Sequence, residues 1–154
     1  MIMRRQRFTT SGLLIAPVIG LVLALAPLRI APVEAVERTA SAPAAEVYFH
    51  YPIDGARVPE RFTVKIGLKE MGVAPAGVVR AFTGHHHLLI DTEMVPLDRP
   101  IPSDYNHIHL GNGQTETVLT LPPGPHTLQL LLGDHEHMAH QPPVMSKKIT
   151  IYVR

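Results

Sequence analysis

The sequence predicts an all-β fold, an immunoglobulin-like antiparallel β-sandwich of about seven strands, with a cupredoxin-like barrel as the nearest alternative. Two observations carry that prediction. Short alternating or apolar runs recur between Pro, Gly, Asn and Asp punctuation from residue 46 onward, and apolar positions at helical spacing are scarce. About seven such runs in about a hundred residues is the strand density of a sandwich.

The elements follow in order. Glu46 to Tyr51 is the first expected strand. In Phe62 to Leu68, Phe62, Val64, Ile66 and Leu68 point one way while Thr63 and Lys65 point the other, so one face is buried. His86 to Asp91 and His107 to Leu110 are short strands, and Thr115 to Leu121 alternates like the second. Pro122 to Asp134 opens as a tight turn and continues as a strand with Leu128, Leu130 and Leu132 on its inner face, the expected centre of the fold. Lys147 to Val153 puts Ile149, Ile151 and Val153 on one side and Thr150 and Tyr152 on the other.

The amino-terminal residues 1–35 read as an export signal. Arg4, Arg5 and Arg7 precede an apolar run from Leu13 to Leu28, and Val33-Glu34-Ala35 has the small residues of a cleavage site, which places cleavage near Ala35. An uncleaved segment would serve as a membrane anchor, the one membrane attachment the sequence offers. Residues 36–45, rich in Ala, Ser, Pro and Thr, are expected to form a flexible linker, and residues 46–154 the domain. The expected location is therefore the periplasm or the exterior.

After residue 35 there are ten Lys and Arg against twelve Asp and Glu, with no clustered cations, which argues against a nucleic-acid partner. Without cysteine there is no disulfide, no thiolate nucleophile and no thiolate ligand, so any metal must be held by nitrogen, oxygen or methionine sulfur.

All ten histidines lie beyond the expected cleavage point, and nine fall between residues 85 and 140. Apart from His126 these nine form three groups: His85-His86-His87, His107-Ile108-His109, and the segment Asp134 to His140. In an extended strand residues i and i+2 share a face, so His85 with His87, His107 with His109, and His135 with His137 can each offer two imidazoles to one ion. Neutral imidazole suits copper, zinc and nickel. The candidate metal ligands are His85, His87, His107, His109, His137 and His140, and the expected ion is copper or zinc; Met94, Met138 or Met145 would tilt the site towards Cu(I). Because imidazole must be deprotonated to bind, affinity is expected to fall between about pH 7 and pH 5. His86 alternates with Leu88 and Ile90 and reads as a core histidine, His126 as a residue bonded to the turn backbone, and His50 as an ordinary surface residue.

The strings GHHHLLID (Gly84 to Asp91), NHIHLGNGQTE (Asn106 to Glu116), PPGPHTLQLLLGD (Pro122 to Asp134) and PPVMSKKITI (Pro142 to Ile151) resemble an uncharacterised bacterial exported domain family, a domain of unknown function, some members of which carry a rod-shape-determining label. The resemblance covers roughly residues 60–153. It implies a small periplasmic or surface domain and carries no activity with it. His85, His86, His87, His107, His109, His126, Asp134, His137 and His140 fall on the family pattern; the match at His135 and Met138 is looser.

Three function classes follow: a metal chaperone, buffer or sensor; an envelope interaction module whose end loops bind another protein; and an enzyme of the superoxide dismutase kind. The last has the least support, because the sequence has no activated-nucleophile motif and no phosphate-binding glycine loop.

Overall fold

A computed structural model describes residues 38–154; the expected signal segment and its cleavage point lie outside the described residues. These residues form nine strands and no helix: β1 (Glu46–Tyr51), β2 (Arg57–Val58), β3 (Arg61–Lys69), β4 (Gly72–Val73), β5 (Thr83–Ile90), β6 (His107–Leu110), β7 (Glu116–Thr120), β8 (Gly124–Gly133) and β9 (Ile149–Val153). The seven strands of four residues or more are the seven expected from the sequence, and β2 and β4 are two-residue additions.

The strands build two sheets. The smaller is β1-β3-β7, antiparallel throughout. The larger runs β2-β9-β8-β5, with β4 beside the first residues of β5 and β6 beside its remainder, so that both occupy one edge in succession. Its long pairings are antiparallel, and only the two-residue strands pair in parallel. Alternation decides which side chains enter the space between the sheets. Val64 and Ile66 of β3 meet Leu88 and Ile90 of β5, Leu128, Leu130 and Leu132 of β8, and Ile151 of β9 in one core. Each such side chain removed from water contributes about 1.5–3 kcal/mol.

The sequence suggests that β5 buries one face. The structure covers both, and every residue from Gly84 to Ile90 is buried. Leu88 and Ile90 face the sandwich core, whereas Leu89 joins Leu131, Val95, Ile101 and Ala139 in a second, smaller cluster on the opposite side of the larger sheet. Loop residues supply that second cover, and their irregular sequence has no period from which it could be read. Asn106 ties one of these loops down through its amide, which donates to the Ile90 carbonyl at 2.9 Å.

Candidate metal centre

Register and pleat bring the histidines together. His85 and His87 leave β5 on the face carrying Leu89, away from the smaller sheet, and His109 lies directly opposite His87 on β6. Three imidazoles therefore share one sheet face. The fourth comes from the loop after β8. There Asp134 acts as an organiser: its Oδ1 accepts from the backbone N–H of Glu136 and Met138, each at 2.9 Å, and its Oδ2 accepts from the Thr39 hydroxyl at 2.8 Å. This wraps the chain so tightly that His137 takes a positive φ of 67° and turns back over the sheet. The His137 carbonyl accepts from Ile101 N–H at 2.8 Å, which fixes the loop from its other side.

Ring centroids are 4.9 Å apart for His85 and His109, 4.9 Å for His85 and His137, and 4.8 Å for His109 and His137. One ligand nitrogen from each of these three lies within 4.8 Å of the others, so the group can hold a metal ion. His87 sits against it, 4.8 Å from His85 and 5.0 Å from His109, and 6.0 Å from His137. His85 and His87 are fully buried, while His109 and His137 are partly open and form the mouth of the site.

Two glycines keep room for the rings. A Cβ at position 111 would lie 2.2 Å from His109 Cε1, and one at position 133 would lie 2.9 Å from His87 Nε2.

The electrostatics favour unprotonated imidazole. Burial, then the neighbouring His109 and His137, lower the pKa of His85 to about 4, with Asp134 opposing; burial, then His85, His109 and His137, push His87 down to about 2. Burial, then His137, also lowers His109. Within the group Nδ1 of His85, Nδ1 of His87 and Nε2 of His109 are buried without a hydrogen-bond partner. Leaving such a nitrogen unpaired costs about 1–3 kcal/mol, which coordination of a lone pair relieves.

The remaining histidines stand elsewhere. His107 shares the face of His109, but its Nδ1 meets Asp104 Oδ1 at 2.8 Å. His140 is buried with its ring between two main-chain carbonyls, Nε2 to Thr83 at 3.2 Å and Nδ1 to Leu132 at 3.4 Å. His135 and His137 do not act as an extended i,i+2 pair, because the Asp134 turn sends His135 to a groove on another side of the loop. His86 points into the sandwich core and donates from Nδ1 to the Gln114 carbonyl at 3.0 Å. His126 bonds Asp91 and the turn carbonyl of Pro122, and His50 is exposed.

Sequence reasoning missed Asp134 as the loop's organiser, Gly111 and Gly133 as the space around the rings, and Arg38, whose guanidinium donates to the carbonyls of Ala139 and His140. Asp134 alone left a signal, as the acidic residue opening the histidine segment.

No curated protein and no solved structure shows a significant match to the chain. Residues 64–154 match the family described as Domain of unknown function (DUF4399), a span that contains all four clustered histidines. The chain belongs to that family.

Proposed function

We propose that the domain binds one divalent transition ion, copper or zinc, and serves as a metal chaperone, buffer or sensor in the periplasm. The observation that carries this reading is the meeting of His85, His109 and His137, distant in sequence, with a ligand nitrogen of each within 4.8 Å of the others. A donor set made only of imidazole nitrogen suits zinc and copper and excludes a calcium or magnesium role, which needs oxygen ligands. Their lowered pKa values leave His85 and His109 deprotonated at neutral pH, ready to coordinate.

Isothermal titration of metal-stripped, tag-free protein with Zn(II) and Cu(II) tests the reading. Saturable one-to-one binding in the low micromolar range or tighter is expected, abolished in the triple variant His85→Ala, His109→Ala, His137→Ala. Absence of saturable binding below high micromolar metal ends it.

A second reading, an envelope interaction module that needs no metal, draws on one further observation. Val78, Val79 and Phe82 are exposed apolar residues along a groove of about 310 Å³ that Asp134 and His135 also line. Under this reading a co-purifying protein stays bound in chelator and in His137→Ala and His140→Ala variants. Release by chelator would count against it.

A further inference from the structure

The way four rings are arranged distinguishes between kinds of metal site, and the distinction rests on the metal-binding reading above. Of the six centroid separations among His85, His87, His109 and His137, five lie between 4.8 and 5.0 Å and one is 6.0 Å. A square-planar set would have two long diagonals, each about 1.4 times the side; a tetrahedral set has six equal edges. The ring centroids outline a tetrahedron with a single opened edge, while the ligand nitrogens that all lie within 4.8 Å of one another are those of His85, His109 and His137, with His87 standing against them.

His87 is joined to the other three by more than proximity. Its Nε2 lies 3.0 Å from His85 Nε2. Around an ion held by nitrogens at 2.0–2.1 Å, tetrahedral geometry sets neighbouring ligand nitrogens roughly 3.3 Å apart, so two ring nitrogens this close already stand at ligand spacing. The two Nδ1 atoms lack a hydrogen-bond partner whether the Nε2 atoms share a proton or an ion, so it is the Nε2 spacing that joins His87 to the group. Nor does a carboxylate complete the shell. Asp134, the acidic residue that organises the loop, has both oxygens taken by Thr39, Glu136 and Met138.

We propose that His87 is a fourth ligand, making the site a closed, four-imidazole tetrahedral centre for a d10 ion, Zn(II) or Cu(I). Structural and storage zinc sites close their shell with four protein ligands, whereas catalytic sites keep one position for water. A closed shell assigns this domain to holding and handing on an ion rather than to chemistry on a metal-bound water. It also disfavours Ni(II), which seeks planar or tetragonal surroundings, and makes Cu(II), which shares that preference, the weaker binder of the two ions titrated above.

Cobalt(II) is the probe, because its visible bands are intense in four-coordinate and weak in six-coordinate surroundings. Co(II)-loaded, tag-free protein is expected to give the intense four-coordinate spectrum, and zinc-loaded protein to give an X-ray absorption signature of four imidazoles. In His87→Ala, checked for folding by near-ultraviolet circular dichroism, Co(II) affinity is expected to fall about tenfold or more with loss of band intensity. Weak six-coordinate bands, three imidazoles in the zinc spectrum, or a folded His87→Ala that binds Co(II) with unchanged bands overturns the fourth ligand and leaves metal binding standing. Should His87→Ala not fold, the imidazole count in the wild-type zinc spectrum decides alone. Failure to take up either ion overturns the metal reading itself.

Discussion

His126 shows how a single side chain acquires a charge from its partners. Its Nδ1 faces Asp91 Oδ2 at 2.6 Å and its Nε2 faces the Pro122 carbonyl at 2.8 Å, so both nitrogens meet acceptors and both are satisfied only in the imidazolium. Burial opposes the charge, but the bonds to Asp91 and Pro122 outweigh it and raise the pKa above 6.5. A raised folded-state pKa gives stability that is complete below pH 6.5 and is lost as pH climbs through the folded value. Thermal melting of metal-free protein is therefore expected to weaken across that range, and Asp91→Asn to flatten the slope; an identical slope in the variant would assign it to another group. Gly111 is the second residue with a sharp consequence. In Gly111→Ala the new methyl overlaps the His109 ring, a partly exposed side chain that must shift out of its place among the other imidazoles. The fold is expected to survive with zinc affinity lowered about tenfold or more, measured by titration against a chromophoric chelator.

At the scale of elements, β5 owes its importance to being covered on both faces. Leu88→Ala removes a fully buried side chain from the sandwich core and is expected to destabilise the domain by about 2–5 kcal/mol in denaturant unfolding, while the folded fraction still binds metal. The loop after β8 depends on Asp134 in another way. Burial would raise its carboxyl pKa, yet the hydrogen bonds from Thr39, Met138 and Glu136 hold it below the ordinary value. Asp134→Ala leaves two backbone N–H groups and a hydroxyl without their acceptor, a loss of about 2 kcal/mol or more. Its imprint is expected to be local, with faster amide hydrogen exchange at Glu136 and Met138. Unchanged exchange at those amides would mean that the loop is organised without Asp134. The chain before β1 belongs to this element as well. Ser41 N–H donates to Gln141 O at 3.1 Å and Gln141 N–H to Thr39 O at 2.8 Å, so part of the segment whose composition suggests a linker lies hydrogen-bonded along the loop.

For the whole molecule, the site joins parts that are remote along the chain: a central strand, an edge strand and a loop after another central strand. A ligand that binds only the folded arrangement stabilises it by mass action, about 2.7 kcal/mol at a free concentration one hundred times the dissociation constant. Zinc is expected to raise the melting temperature in a concentration-dependent manner and chelator to return it to the metal-free value. A melting temperature insensitive to both would contradict a site shared by these elements.

What the sequence determined by itself was whatever repeats with the period of a strand. The alternation in Phe62 to Leu68 and Lys147 to Val153 and the i,i+2 pairing of His85 with His87 survive in the fold, because pleat geometry is local, whereas the turn expected at Pro122 to Pro125 gives way to strand from Gly124 onward. The four-motif resemblance likewise pointed to the family. Tertiary structure alone decided which histidines meet. His109 reaches His87 through the register between β5 and β6, which no short window of sequence records. His137 joins them through a turn held by Asp134 and Thr39, whereas His107 and His140, equal candidates by residue type and spacing, are taken by Asp104 and by main-chain carbonyls. A hydrogen-bonding partner supplied by a remote segment redirects an imidazole without leaving any periodic mark near it, so the choice among six candidate ligands was made only on folding.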